Sequence, residues 1–150
     1  MKYVVLDSTP LGLLTQRGGV PEADACRRWL AGKAAQGIRA LIPEIVDFEL
    51  RRELLRSGKT ASVARLDQLQ GHPAVVFIPL TTAAMRLAAD LWAQSRKRGL
   101  PTAHPQSLDV DVIMAAQVIA GNFPATDTVV ATSNVGHLSM FLPAETWTKI

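Results

Sequence analysis

Short apolar runs alternate with longer, mixed segments along this chain. Four runs, at residues 4–6, 38–42, 74–80 and 128–133, are brief and rich in β-branched residues, which favours strands over helices. They are continuous rather than alternating in polarity, as expected for strands that are covered on both faces. The pattern therefore predicts a buried sheet.

Helical segments fill the intervals between these runs, and glycine or proline marks most of their ends. The predicted helices span Leu11 to about Gln16, Pro21 to 36, 44–57, 61–70, 83–98 and about Asp109 to Ala120. Residues 100–107 are predicted to be a loop, 134–145 a loop or short turn, and 146–150 an edge strand. The alternation predicts one α/β domain over residues 1–150, a three-layer α/β/α sandwich with a mostly parallel sheet of four to five strands.

Composition narrows the class of protein. With 150 residues, of which 48% are apolar and 19% charged, the chain suits one domain with a proper core and is not disordered. Cys26 is the only cysteine, so no internal disulfide is possible, which fits a reducing cytoplasm. The first apolar run is too short for a signal peptide, and no apolar run reaches the roughly 18 residues of a membrane span. The formal net charge of +3 is compatible with a polyanionic partner but indicates little by itself.

Four acidic residues, Asp7, Glu49, Asp109 and Asp111, occupy unusual places in this pattern. Asp7 closes the first apolar run, Glu49 lies among apolar neighbours at helical spacing, and Asp109 and Asp111 open the most hydrophobic stretch. Carboxylates near a core are costly unless a positive charge compensates them. No lysine or arginine lies close in sequence to Asp7, Asp109 or Asp111. A divalent cation with oxygen ligands is the natural counter-charge.

These acids are expected to meet at one edge of the sheet. In a parallel α/β fold, ligands bind beyond the carboxyl ends of the strands, and the helices that follow the strands begin at that edge. The residues placed there by the predicted elements are Asp7, Glu49, Asp109, Asp111, Ser133 and Asn134. Asp127 precedes its strand and is expected at the opposite edge, so it is excluded from the site.

Each acid also has a structural explanation. Asp7 precedes a predicted helix and could cap it. Asp109 and Asp111 could serve the helix dipole in a first turn. Glu49 could be a surface residue paired with Arg52 or Arg56. In the same way, Asp47 is predicted to be a surface partner of Arg51 at the i,i+4 spacing. These alternatives stay open at the level of sequence.

Clustered carboxylates favour one kind of chemistry. Without a metal they repel one another, and one or more of them has a raised pKa. Mg²⁺ or Mn²⁺ replaces that repulsion with attraction to a hard cation. Such a metal lowers the pKa of a bound water and stabilises charge on a phosphate, so the pattern indicates phosphodiester chemistry.

Other kinds of site have weaker support. The three histidines lack HxxH or HExxH spacing, so zinc is not expected. Cys26 has no positioned histidine, and no glycine-rich phosphate loop is present. A phosphotransferase with Asp7 as nucleophile would need a second aspartate where Thr9 stands. Basic groups at 51–59 and 96–98 are candidate phosphate contacts, or else solvated helix surfaces.

Four segments, in order, resemble those of a known family. They are VVLDST, IPEIVDFELRREL, LDVDVIMAAQ and VVATSNVGHL, and the similarity extends from about Val4 to Trp147. The chain resembles the PIN domain and is most similar to the VapC-like toxin ribonucleases of bacterial toxin–antitoxin modules. That resemblance implies RNA cleavage dependent on Mg²⁺ or Mn²⁺, homodimers, and a cognate antitoxin protein that covers the acidic site.

The resemblance also implies roles for single residues. Asp7, Glu49 and Asp111 match the family's first three metal-binding acids, and they are the expected catalytic residues. The full expected set of metal ligands is Asp7, Glu49, Asp109, Asp111 and Asn134. Asn134 is the neutral choice at a site where the family has Asp or Asn. The expected substrate contacts are Thr9, Arg51, Arg52 and Thr132.

Two functional hypotheses follow. The first is a cytoplasmic, metal-dependent endoribonuclease, the toxin of a toxin–antitoxin pair, with RNA as substrate and no membrane partner. The second is a catalytically weak or inactive PIN-like domain that binds nucleic acid or protein through the same surface. The neutral side chain of Asn134 motivates the second hypothesis.

Overall fold

The computed structural model describes residues 1–99 and 105–150, and the side chains of residues 1–99 and 109–150. Within these ranges five strands form one sheet, and every neighbouring pair is parallel. The strands are β1 (Tyr3–Leu6), β2 (Arg39–Pro43), β3 (Val75–Ile78), β4 (Thr128–Ala131) and β5 (Ala144–Glu145). The order across the sheet is β3-β2-β1-β4-β5, which confirms the predicted α/β sheet and makes it wholly parallel.

The central strand β1 is the core of this sheet. Val4 pairs with Ala40 of β2 on one side and with Val129 of β4 on the other. Val4, Val5 and Leu6 have no exposed surface, because helices cover both faces of the strand. This explains why the run is apolar at successive positions rather than at alternate ones.

Helices form the two outer layers. They are α1 (Ser8–Thr15), α2 (Pro21–Ala35), α3 (Glu44–Arg56), α4 (Thr60–Gln70), α5 (Thr82–Lys97), α6 (Pro105–Ala120) and the short α7 (Val135–Leu138). Helix α1 packs against α2, α3 and α4, while α5 packs chiefly against α6. Crossovers between parallel strands are right-handed. Because the chain adds β2 and β3 on one side of β1 and then crosses back to β4 on the other, helices α1–α4 lie on one face of the sheet and α5 and α6 on the opposite face. This arrangement gives the predicted three layers. No helix within the described ranges is long and apolar enough to cross a membrane.

Two helices begin three or four residues earlier than the sequence pattern predicted. Helix α1 begins at Ser8 rather than Leu11, with Asp7 as its N-cap. Helix α6 begins at Pro105 rather than at about Asp109. Proline suits the first position of a helix, where its missing N–H leaves no bond unmade. Of the loop predicted at 100–107, residues 105–107 are therefore helical, and residues 100–104 lie outside the described residues.

The C-terminal prediction was wrong in one respect. Residues 146–150 form no edge strand, since Trp147–Lys149 is a 3₁₀ helix whose Trp147 ring meets the Trp29 ring edge-on at 5.8 Å. The edge strand is β5, inside the segment predicted as loop or short turn. The amides of Val130 and Thr132 donate to the carbonyls of residues 143 and 145, at 2.8 and 3.0 Å. A strand of two residues has no periodicity that a sequence pattern could reveal.

Candidate active site

The sheet reverses its direction of growth between β1 and β4. Strands β2 and β3 are added on one side of β1, and β4 and β5 on the other. Such a switch point opens a crevice beyond the carboxyl ends of the two strands. Asp7 directly follows β1 and Thr132 directly follows β4, so both residues lie at this crevice. The Thr132 hydroxyl donates to Asp7 Oδ2 at 2.6 Å.

Asp7 has two structural roles at once. Its Oδ1 accepts a hydrogen bond from the amide of Ser8 at 2.7 Å, so it caps α1 as one sequence interpretation proposed. Its Oδ2 points to Thr132, and the residue is 8% exposed. Within the described residues it forms no salt bridge with lysine or arginine. Asp7 is therefore a buried, oriented carboxylate that lacks a basic partner there.

Glu49 lies close enough to Asp7 for their charges to interact. It occupies the second turn of α3 and is partly buried. Its pKa is raised, first by burial and then by the negative charge of Asp7, against the opposing effects of the Ser8 side chain and the Arg52 cation. The alternative of a Glu49–Arg52 surface pair is not found, because no salt bridge joins them in the part of the chain that the structure describes.

Asp111 is the most perturbed of the three acids. It lies in the second turn of α6 and is 7% exposed. Burial, then Asp7, then Glu49 raise its pKa to about 7. Its Oδ2 is buried and has no hydrogen-bond partner, which is costly for a polar atom. Because α6 begins at Pro105, first-turn capping does not explain this carboxylate.

The chemistry of this donor set fits a hard divalent cation. The negative charge of Asp7 raises the pKa of Glu49, the charges of Asp7 and Glu49 raise the pKa of Asp111, and one buried carboxylate oxygen of Asp111 is unsatisfied. With the side chains as they stand, no three His, Cys, Asp or Glu groups among the described residues are placed to hold one ion together. Side chains such as Glu49 would therefore have to change rotamer to share an ion.

Asp109 lies apart from the other acids. Two residues correspond to about 200° around a helix, so Asp109 and Asp111 face different ways. Asp109 is exposed and lines a cleft between α5 and α6 that includes Met85, Trp92 and Ile113. The structure does not bring Asp109 to the crevice, and its role as a metal ligand stays a prediction without geometric support.

Asn134 is linked to Asp7 through Thr132. It is the N-cap residue of α7, and its backbone amide donates to Thr132 Oγ1 at 2.8 Å. Its side-chain Nδ2 lies 2.8 Å from Nδ1 of His137. The structure thus brings Asn134 to the same crevice as Asp7, as the sequence predicted from its position after the fourth strand.

Thr9 lies at the exposed rim of the crevice. Its hydroxyl is 2.9 Å from that of Ser133, so the segments after β1 and β4 contact each other through two small polar side chains. Thr9 is exposed whereas Thr132 is fully buried. Of the two threonines predicted to contact substrate, Thr9 is the accessible one and Thr132 is occupied with Asp7.

Arg51 is held in ion pairs within the fold, and its role as a substrate contact stays a prediction. Its Nε and Nη2 donate to the two oxygens of Asp47 at 2.9 and 3.1 Å. Its Nη1 lies 2.8 Å from an oxygen of Asp67 on α4. The predicted Asp47–Arg51 pair is confirmed, but Asp47 is buried, at 7% exposure, rather than on the surface. Each of the three guanidinium nitrogens already has a carboxylate partner, and the side chain joins α3 to α4.

Arg52 lies close enough to Glu49 for the two charges to interact. It is exposed, its charge lowers the pKa of Glu49, and its guanidinium lies 5.3 Å from the centre of the Phe48 ring. It forms no salt bridge among the described residues. Arg52 is therefore the arginine of the predicted pair that is available for a phosphate group.

Sequence reasoning missed Gln117, a residue of α6 whose side chain is hydrogen-bonded to α3, so that it links the helices that carry Asp111 and Glu49. Its Oε1 accepts from the amide of Ile45 on α3 at 3.1 Å, and its Nε2 donates to the carbonyl of Ile78 at 2.7 Å. The residue is 1% exposed. It is the one polar residue in the run from Val112 to Ala120, and a buried polar residue in such a run requires partners. A single glutamine in an otherwise apolar run was therefore the sequence signal that could have revealed this residue.

The fold and the crevice define a class of protein: a parallel α/β domain with carboxylates beyond the carboxyl ends of its central strands. A family model described as "PIN domain" matches residues 4–134. The chain belongs to the PIN domain family. No curated protein matches it.

Several solved structures share this fold, among them three that contain VapC-type proteins. VapBC2 from Rickettsia felis, bound to a promoter DNA fragment, has a TM-score of 0.71 at 18% identity, covering 97% of this chain and 98% of that one. VapC20 from Mycobacterium tuberculosis, described as a toxin that cleaves the sarcin–ricin loop, has a TM-score of 0.64 at 17% identity, covering 91% of this chain and 93% of that one. VapBC-1 from nontypeable Haemophilus influenzae has a TM-score of 0.62 at 16% identity, covering 97% of this chain and 98% of that one. At these identities the likeness concerns the fold.

Proposed function

We propose that this protein is a metal-dependent endoribonuclease and the toxin of a toxin–antitoxin pair. One observation carries the proposal: Asp7 lies close enough to Glu49 and Asp111 for its charge to raise the pKa of both, and no lysine or arginine among the described residues forms a salt bridge with the three acids. Membership of the PIN domain family supports a nuclease. The 150 residues would form a single domain, since all five strands join one sheet.

Asp7, Glu49 and Asp111 would hold Mg²⁺ or Mn²⁺, with the amide oxygen of Asn134 as a neutral fourth ligand. When bound, such an ion supplies charge stabilisation for the phosphate and a lowered pKa for an attacking water. The chain's own contribution is orientation. The Ser8 amide and the Thr132 hydroxyl hold both oxygens of Asp7, so its carboxylate loses little freedom on binding.

The remaining residues of the crevice would bind and orient RNA. Arg52 would pair with a phosphate near Glu49, and the Thr9 hydroxyl would donate to a phosphate oxygen at the rim. RNA as substrate is supported by the similarity to a toxin that is described as cleaving the sarcin–ricin loop. A cognate antitoxin is supported by the similarity to the two VapBC structures. Homodimers and a cytoplasmic location stay predictions.

The decisive experiment compares one substitution at two edges of the sheet. Protein freed of antitoxin should cut RNA with Mg²⁺ or Mn²⁺ and stop when EDTA is added. Asp7→Asn should reduce cutting to background, because the amide cannot replace a charged ligand. The matched control is Asp127→Asn, since Asp127 pairs with Lys2 at the opposite edge. Undiminished cutting by Asp7→Asn would remove the proposal.

A second candidate is a domain that binds nucleic acid or protein without cleaving. Two observations favour it: Asn134 is neutral, and no three potential ligands among the described residues are placed for one ion. Calorimetric titration with Mn²⁺ separates the two candidates. Binding that Asp7→Asn abolishes supports the nuclease, whereas no binding in the millimolar range supports the adaptor.

A further inference from the structure

His137 and Asn134 form a pair beside the candidate metal site. They lie one helical turn apart, at the start of α7, with Asn134 Nδ2 2.8 Å from His137 Nδ1. Neither the hydrogen bonding of Asp7 nor that of Thr132 involves His137 directly. The function of the histidine is therefore to be sought in its contact with Asn134.

The chemistry of the two groups fixes the direction of this hydrogen bond. With Nδ2 of Asn134 facing the ring, the amide nitrogen donates, because it has no lone pair to offer, and Nδ1 of the neutral His137 tautomer protonated on Nε2 accepts. The neutral imidazole then carries its proton on Nε2. Because a carboxamide is planar, holding Nδ2 toward the ring also holds Oδ1 away from it.

Orientation matters at an asparagine in a way that it does not at an aspartate. Hard cations bind oxygen, and an amide offers one oxygen where a carboxylate offers two. An amide turned by half a circle would present NH₂ to the ion. The backbone amide of Asn134 is already connected to Asp7 by hydrogen bonds through Thr132. Only the side-chain torsions of Asn134 remain free, and the hydrogen bond to His137 restricts them.

We propose that His137 is a positioning residue that holds the Asn134 amide with its oxygen directed to the metal. The proposal rests on the proposed function, since it assigns His137 to the same metal site. Second-shell partners of this kind typically change metal affinity by about 10-fold to 100-fold.

The test is a Mn²⁺ titration of the full chain by calorimetry. His137→Leu replaces the imidazole with an apolar side chain of similar size that has no acceptor, and we expect about 10-fold weaker Mn²⁺ binding. His137→Gln is the rescue variant, because its neutral side chain offers an acceptor oxygen to Asn134 Nδ2. Its affinity should lie nearer to that of the unchanged protein. Equal affinities of the unchanged protein and His137→Leu would overturn the proposal.

A second background separates positioning from mere structural support. In Asn134→Asp either carboxylate oxygen can face the ion, so adding His137→Leu should change Mn²⁺ affinity little. If His137 only stabilised α7, the substitution would lower the urea midpoint in both backgrounds and would weaken Mn²⁺ binding equally in both. An equal loss of affinity in the two backgrounds would contradict the positioning role.

A measurement without metal keeps the proposal testable if the unchanged protein binds no Mn²⁺. In that case the metal-dependent function fails first, and the hydrogen bond can still be examined alone. ¹⁵N NMR of the histidine ring, at a pH where imidazole is neutral, should show Nε2 protonated and Nδ1 unprotonated. A protonated Nδ1 would mean that it donates to Oδ1 of Asn134, and the inference would be wrong on its own terms.

Discussion

The hydroxyl of Thr132 donates to Asp7 across the gap between β4 and β1, with 2.6 Å between Oγ1 and Oδ2. The two residues are 125 positions apart in sequence, yet each directly follows one of two paired parallel strands. The same Thr132 oxygen accepts the amide of Asn134. One buried hydroxyl therefore connects the first candidate ligand to the last.

Thr132→Val removes this connection while keeping the shape of the side chain. The buried Asp7 carboxylate and the Asn134 amide each lose a partner, and we expect a loss of about 2 kcal/mol in the free energy of unfolding. Urea titration measures it, with Thr132→Ser as the control that retains a hydroxyl. If valine and serine give the same midpoint as threonine, the hydrogen bond does not stabilise the fold.

Asp111→Asn should stabilise the metal-free protein. The pKa of Asp111 is raised to about 7 by burial, Asp7 and Glu49, so the ionised carboxylate is unfavourable in the folded state. Removing its charge at a pH above that value should raise the free energy of unfolding by roughly 1 kcal/mol. A loss of several kcal/mol would show instead that the carboxylate is needed structurally.

The same residue predicts a pH dependence of stability. Because its folded-state pKa is about 7 against an ordinary 3.8, the folded protein holds this proton more tightly than the unfolded chain does. Its contribution favours folding at low pH, declines as the pH rises between those two values, and is constant above them. Urea titrations of Asp111→Asn and the unchanged protein across this range isolate the contribution. Parallel stability curves would contradict it.

Gln117→Leu should cost about 3 kcal/mol, because the amide of Ile45 and the carbonyl of Ile78 both lose a buried partner. Gln94→Leu on the exposed surface of α5 is the matched control and should change stability by less than about 0.5 kcal/mol. Urea titration of both variants is the measurement. Equal midpoints would mean that water replaces the side chain without cost.

Metal binding should appear as added stability if the proposed site is correct. A ligand present at 100 times its dissociation constant, bound by the folded state alone, adds about 2.7 kcal/mol to the free energy of unfolding. Mn²⁺ should therefore raise the melting temperature of the unchanged protein and of Asp127→Asn. Asp7→Asn should show little rise, and an equal rise in all three would place the ion elsewhere.

The sequence by itself determined the sheet and the approximate position of the acids. Runs such as Val4–Leu6 are continuous because both faces of a central parallel strand are buried, so the pattern is a direct consequence of the fold. Residues that follow strands must lie at one edge of a parallel sheet. That geometric rule sufficed to predict that Asp7 and Asn134 would lie at the same edge, where Thr132 connects them.

Only the tertiary structure decided which charged side chains are engaged elsewhere. Arg51 and Arg52 are adjacent and chemically identical, yet Arg51 is held by Asp67 from another helix while Arg52 faces Glu49. Local spacing specifies which face of a helix a residue occupies, but the partner on that face comes from a distant segment. For the same reason the sequence could not show that the side chains of Asn134 and His137 contact each other, since such a contact depends on how two side chains are oriented in space.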